Sequence, residues 1–204
     1  MIVSLIERKI RMNMGEEKAK HYAFARITLQ YNEAMAKPYA ESRIKYGYSN
    51  EKAKVYVLGL TTNFGDDKKA KLYAYAREDL NLCEEAAKVY VAKKPSYVGA
   101  SLEHYAVEYS KKYNEAIETL KYDVDKANAY AYATLDLRYK GEKAEVYAYG
   151  CVDLRYNESK SVVYTHARIH LKYEDEKAKF YVEKRALMSE SHDSAEKYAY
   201  ARSD

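Results

Sequence analysis

Ser101-Leu-Glu-His-Tyr-Ala-Val-Glu-Tyr-Ser-Lys-Lys-Tyr-Asn-Glu-Ala-Ile-Glu-Thr-Leu-Lys-Tyr122 is the stretch that separates helix from strand in this chain. Tyr105, Tyr109, Tyr113, Ile117 and Leu120 recur in it at steps of three and four, which places them on one face of a helix. Elsewhere a strand competes. Ala129-Tyr-Ala-Tyr-Ala-Thr-Leu-Asp-Leu-Arg-Tyr139 and Val163-Tyr-Thr-His-Ala-Arg-Ile-His-Leu-Lys-Tyr173 alternate with period two, as half-buried strands do.

Tyr113 belongs to a ladder that runs through the chain. Tyr22, Tyr39, Tyr56, Tyr73 and Tyr90 are each 17 residues apart, and so are Tyr113, Tyr130, Tyr147, Tyr164, Tyr181 and Tyr198. With each ladder Tyr at position 0, position −3 is always Ala or Ser: Ala19, Ala36, Ala53, Ala70, Ala87, Ser110, Ala127, Ala144, Ser161, Ala178 and Ala195. Position +3 is small except at Lys93 and Lys184, and position +7 holds Leu29, Leu80, Leu120, Leu137, Leu154, Leu171 and Met188. One helical face accommodates −3, 0, +3 and +7 together, whereas a strand splits them between its two sides.

Ala, Glu and Lys dominate the units and favour helix. Seven glycines, none in an Asn-Gly or Asp-Gly pair, are few for ten hairpins. The expected fold is therefore all-α, an α-solenoid of stacked antiparallel helices with a 17-residue unit. The alternative is an all-β antiparallel meander of 17-residue strand-turn units, turning at Lys140-Gly-Glu142 and Asn157-Glu-Ser159. Asn50-Glu-Lys-Ala53, Asp66-Asp-Lys-Lys-Ala70, Gly141-Glu-Lys-Ala144 and Asp175-Glu-Lys-Ala178 read as helix starts, with a capping residue or glycine before acidic first turns.

The ladder slips once, because Tyr90 and Tyr113 are 23 residues apart. Lys93-Lys-Pro-Ser-Tyr-Val-Gly99 lies in that interval, where Pro95 and Gly99 interrupt regular structure and suggest a bend, hinge or binding loop. The organisation expected is an N-terminal lead-in helix over 1–16, a block of five units over 17–98, and a block of six over 99–204 whose last unit is incomplete.

Two helices of about 13 residues with turns of about four fill 34, the length of a helix-turn-helix solenoid repeat. Asp67-Lys-Lys-Ala-Lys-Leu-Tyr-Ala-Tyr-Ala76 and Asp175-Glu-Lys-Ala-Lys-Phe-Tyr181 resemble the opening of the second helix in the tetratricopeptide and Sel1-like families. The Trp, the regular Leu-Gly pair and the closing Pro of those families are missing here, and successive units look alike instead of alternating. The resemblance implies a scaffold that binds peptides or proteins, and it carries over no functional residue.

Charge is balanced, with 35 basic and 31 acidic residues interleaved to a net +4, which announces neither a nucleic-acid groove nor a membrane-surface patch. Met1-Ile-Val-Ser-Leu-Ile-Glu-Arg-Lys-Ile-Arg-Met12 is too soon charged to read as a signal peptide or a membrane span. Cys83 and Cys151 make no CxxC or zinc pattern, so a reduced, cytoplasmic setting is expected.

Chemistry-bearing motifs are sparse. His166 and His170 share a helix face at a spacing that can hold a metal, but no HExxH frame or third ligand accompanies them, and solvent-facing or inter-repeat roles fit better. His21, His104 and His192 stand isolated. Asp79, Asp136 and Asp153 at +6, with Arg138, Arg155 and Lys172 at +8, recur with the unit as structural ion pairs do, and so are expected to pair between neighbouring repeats. No catalytic residue, metal site or cofactor is assigned, and a non-enzymatic role follows.

Tyr75, Tyr132, Tyr149 and Tyr200 at +2 accompany Arg77, Arg168, Arg185 and Arg202 at +4. The candidate binding surface is Tyr75, Arg77, Tyr132, Tyr149, Arg168, Tyr200 and Arg202. Its first reading is contact area for a protein or peptide partner or a further copy of the chain. Stacking of single-stranded nucleic acid bases is the second reading, and a structural β-repeat or fibre the third.

Overall fold

A computed structural model of the chain describes residues 15–94, 101–187 and 192–202. The expected lead-in helix before Gly15, the Pro95–Gly99 interruption, Met188 and the last two residues lie outside the described residues. Among the described residues there are eleven α-helices and no strand, so the meander is not what this sequence forms. Helix formers and side-chain caps prevail over the local alternation.

The chain divides into two compact units, Met1–Val107 and Glu108–Asp204. In the first, α1 (Glu16–Ile27), α2 (Glu33–Lys45), α3 (Asn50–Leu58), α4 (Asp67–Glu78) and α5 (Glu84–Lys93) each pack on the next. α6 (Ser101–Glu118) contains the boundary between the units. In the second unit α7 (Val124–Leu135), α8 (Glu142–Val152), α9 (Glu158–Ile169), α10 (Asp175–Val182) and α11 (His192–Arg202) also pack in sequence. Six-residue and five-residue π-helical turns, Gly59–Phe64 and Glu183–Leu187, extend α3 and α10. This neighbour-on-neighbour packing is that of an α-solenoid.

Each unit of sequence is one helix and one turn. Asn32, Ser49, Asp66, Asp123 and Asn157 cap their helices by accepting the N–H three residues on, at 2.8–3.1 Å. Asn50 and Asp175, expected as caps, are instead the first helical residues behind Ser49 and Glu174. At the other end Gln30, Asn81, Lys121, Arg138, Arg155 and Lys172, all at +8, take left-handed backbone with φ of 50–58°. The N–H at +9 then reaches back six residues to the carbonyl at +3, as in Tyr139 to Ala133 at 2.9 Å and Tyr156 to Gly150 at 3.0 Å, and so closes the turn around the left-handed residue. The residues at +8 therefore close helices, and Asp79 and Asp153 at +6 find their partners elsewhere.

The core is narrower than the expected face. Buried positions are −3, 0, +1 and +3, the +1 column being Ala40, Val57, Ala74, Val91, Ala131, Ala148, Thr165, Val182 and Ala199. The +7 leucines lie beyond the helix in the closing turn and are only half-buried. Small residues let the helices approach. A Cβ on Gly59 (+3) would sit 3.3 Å from the Ala70 Cα (−3), and one on Gly150 (+3) would sit 3.4 Å from the Ser161 Cβ (−3).

Candidate functional site: a groove that recurs along the helices

The ladder tyrosines are spent on the fold. Tyr39, Tyr73, Tyr90 and Tyr164 are almost wholly buried. A second 17-residue column, Tyr31, Tyr48, Tyr122, Tyr139, Tyr156 and Tyr173 at +9, meets the next ladder ring edge-on, with centroids 5.9–6.2 Å apart. From the other side the +2 ring closes on the same target, as in Tyr132 on Tyr147 at 6.2 Å and Tyr149 on Tyr164 at 6.1 Å. Edge-on and tilted geometries of this kind are worth roughly 0.5–1.5 kcal/mol per pair beyond buried area. The +9 column was present in the sequence at the same period as the ladder, yet it is not among the site residues expected.

Ladder hydroxyls reach the first residue of the following helix: Tyr39 to Asn50 at 2.6 Å, Tyr56 to Asp67 at 2.7 Å and Tyr164 to Asp175 at 2.5 Å. Burial and the accepting carboxylate together push the Tyr56 and Tyr164 phenols well above their ordinary range. Tyr132 is pushed up to about 12, first by its bond to Glu158 and then by burial.

Of the +6 aspartates, Asp79 and Asp153 pair between repeats, each with a lysine at −4 of the preceding unit. Lys126 meets Asp153 at 2.6 Å, and Lys52 meets Asp79 in the same way. Each lysine also lies over a +9 ring, 4.9 Å from the centroid of Tyr122 or Tyr48. His170 occupies the aspartate position one repeat later and sits 3.3 Å from Lys143 Nζ.

The expected surface residues are largely committed to such contacts. Arg77 and Arg168 donate to the carbonyls of Leu82 at 2.7 Å and Tyr173 at 2.6 Å, fastening the closing turns. Tyr75 and Tyr132 are half-buried and donate to Glu103 at 3.2 Å and Glu158 at 2.8 Å. Tyr149 is half-buried against Tyr164. The side chains of Tyr198, Tyr200 and Arg202 lie outside the described residues.

Tyr149 and Arg168 come together at a groove of about 380 Å³ in the second unit, with Glu145, Val146, Tyr164 and Asp175. Counted from Tyr147 these are −2, −1, +2, +17, +21 and +28. A second groove of about 360 Å³ is lined by Val162, Val163, His166, Tyr181, Arg185 and His192, which hold the same six positions counted from Tyr164. Val, Tyr and Arg persist at −1, +17 and +21. The other three positions change, from Glu145, Tyr149 and Asp175 to Val162, His166 and His192.

In the first groove Asp175 is held by Tyr164 and by Lys179 at 2.5 Å, while Glu142 and Glu145 make no ion pair among the described residues. In the second, His166 stacks on His170 at 5.1 Å, and His192 Nδ1 is 2.6 Å from the Tyr181 hydroxyl. His192, isolated in sequence, is thus the counterpart of Asp175. Among the described residues no group of three or more His, Cys, Asp or Glu is placed to hold a metal, no helix is long and apolar enough to cross a membrane, and neither cysteine is in a disulfide.

Fold and site together define an all-α, tyrosine-rich solenoid protein. No family profile, curated protein or solved structure matches the chain.

Proposed function

We propose that this chain is a non-enzymatic repeat scaffold that binds a protein or peptide partner through the groove recurring between its helices. The observation that carries this reading is the split within the groove: Val, Tyr and Arg stay fixed from one repeat to the next, while the residues at −2, +2 and +28 change charge and shape. A surface whose frame is constant and whose lip is variable suits recognition of successive side chains of an extended ligand. The resemblance to tetratricopeptide and Sel1-like repeats points the same way, and Cys83 and Cys151 left outside any disulfide suit a reducing, cytoplasmic setting. Base stacking on Tyr and Arg columns gains no support from guanidiniums already bonded to backbone carbonyls.

The test is selection of displayed peptides on the full chain, followed by remeasurement on Tyr149→Ala and His166→Ala variants. Enriched peptides should lose most of their affinity on one of the two. A selection that yields no peptide sensitive to changes at Glu145, Tyr149, Val162 or His166 refutes the groove reading.

A further inference from the structure

The second groove, formed by Val162, Val163, His166, Tyr181, Arg185 and His192, differs from its neighbour in charge more than in shape. Its floor is apolar. Its described polar lining is one guanidinium, two imidazoles and one phenol, with no carboxylate. Asp175, which faces Lys179 in the groove one repeat earlier, is replaced by His192, and Lys179 itself by Glu196. Glu196 is occupied by the Tyr173 hydroxyl at 2.8 Å.

Positive charge gathers around this groove from every helix that borders it. Lys143 on α8 touches His170, which stacks on His166 of α9; Arg185 follows α10 and interacts with Tyr181; His192 opens α11. We propose that this groove docks an acidic side chain carried on an apolar stretch of a partner polypeptide, with its carboxylate between Arg185, His166 and His192 and its flanking aliphatic groups on Val162 and Val163. The inference rests on the scaffold reading above and names its ligand.

A polypeptide carboxylate fits better than a nucleic-acid backbone. A phosphate chain requires a continuous cationic track, and the groove one repeat earlier breaks it by setting Glu142, Glu145 and Asp175 beside Lys126 and Arg168. A single acidic residue with apolar neighbours uses both the apolar floor and the local cluster of basic groups.

Docking of this kind couples to protons. Desolvation, and then the charges of His170, His192, Lys143 and Arg185, hold His166 below its ordinary value. A docked carboxylate opposes those effects and raises the imidazole's proton affinity, so binding takes up a proton and strengthens as pH falls. One linked proton changes affinity by at most about tenfold per pH unit, so a drop from about pH 7.5 to about pH 6 should tighten binding on the order of tenfold. Glutamate side chains in the ligand stay ionised over that range.

The experiment uses rhodamine-labelled, end-blocked Leu-Glu-Leu-Glu-Leu and its Gln and Lys counterparts, titrated against the full chain by fluorescence anisotropy at fixed ionic strength. The Glu peptide should bind in preference to the other two and tighten on the order of tenfold at the lower pH. His192→Asp writes in the residue found one repeat earlier, which can take the Tyr181 hydroxyl as Asp175 takes that of Tyr164, so helix content and melting should hold while binding falls about tenfold. Arg185→Gln should weaken binding without removing its pH dependence.

Several results overturn the proposal: no binding of the Glu peptide, equal binding of the Gln peptide, affinity flat with pH, indifference to His192→Asp, or displacement by a single-stranded oligothymidylate at matched ionic strength. If groove-sensitive peptides emerge from display selection while the Glu peptide fails here, the acidic ligand is wrong and the scaffold reading stands. If neither appears, both fall.

Discussion

Gly59 and Gly150 hold the same +3 position in different repeats, and alanine should act on them with opposite sign. Both are buried in helical backbone, where replacing Gly by Ala favours the helix by about 0.8–1.0 kcal/mol. What differs is the space. The added methyl at Gly150 would meet Ser161 at 3.4–3.5 Å, an ordinary contact, so most of the helix gain survives and Gly150→Ala should stabilise by about 0.5–1 kcal/mol. At Gly59 the methyl would stand 3.1 Å from Tyr73 Cδ1 and 3.3 Å from the Ala70 Cα. The Tyr73 ring is fully buried and Ala70 offers backbone, so neither yields without parting α3 from α4. Overpacking of this kind costs about 1–3 kcal/mol, which outweighs the helix gain and leaves a net loss of ~1 kcal/mol. Urea unfolding followed by far-UV circular dichroism reads both as shifts of midpoint at unchanged slope. Equal stabilisation by the two substitutions would refute the packing of +3 on −3 as the closest approach between helices.

Tyr164→Phe keeps the ring pair with Tyr149 and removes the bond to Asp175, which retains Lys179; a loss of about 1 kcal/mol in the same unfolding assay is expected. Arg155→Gly should relieve left-handed backbone at a helix end and stabilise by roughly 0.5 kcal/mol, whereas Arg155→Val should destabilise. His170→Asp offers Lys143 the carboxylate that Asp153 gives Lys126, and should add a few tenths of a kcal/mol near neutral pH, an increment that salt reduces. Lys71 and Tyr56 hold Asp67 below the usual carboxylate range, so its contribution is present above the unfolded carboxylate pKa near 4 and is lost as pH falls through the folded value. Denaturant midpoints measured down the acid limb should show Asp67→Asn less acid-sensitive than the parent.

Helix was legible where three signals coincided: the non-alternating run from Ser101 to Tyr122, the small residues flanking each ladder Tyr, and Ala, Glu and Lys in excess. The closing turn was not. Leu at +7 satisfies helical spacing as well as −3 does, and only the left-handed residue at +8 shows that the helix has already ended. Arg or Lys at that position carries none of the glycine signal that usually marks such an end. Their recurrence beside the +6 aspartates instead suggested pairing, while the lysine that Asp79 and Asp153 actually meet lies 27 residues earlier on the preceding helix. The +9 tyrosines share the ladder's period and could have been found by asking which further columns repeat. The groove could not, because its walls run from Tyr122 to Asp175, on positions that meet only once antiparallel helices are stacked.

That stacking explains how one groove can carry carboxylates and the next imidazoles without any change of fold. Contacts between neighbouring helices are made by −3, 0, +1 and +3, by the +9 ring, and by the lysine at −4 clamped to +6. Of the positions that change between the grooves, +2 and +28 also touch a ladder ring. Position +28 is the instructive case, because Asn50, Asp67, Asp175 and His192 there accept or share the proton of a buried ladder Tyr at 2.5–2.7 Å, while Gly141 at the same position has no side chain. Where the contact is made it needs a hydrogen-bond acceptor and is indifferent to its charge. Carboxylate, amide and imidazole meet that demand equally, yet they present different electrostatics to anything in the groove. On the docking proposed above, a change from Asp175 to His192 would reverse the ligand preference of a repeat while leaving intact the hydroxyl contact that joins its helices.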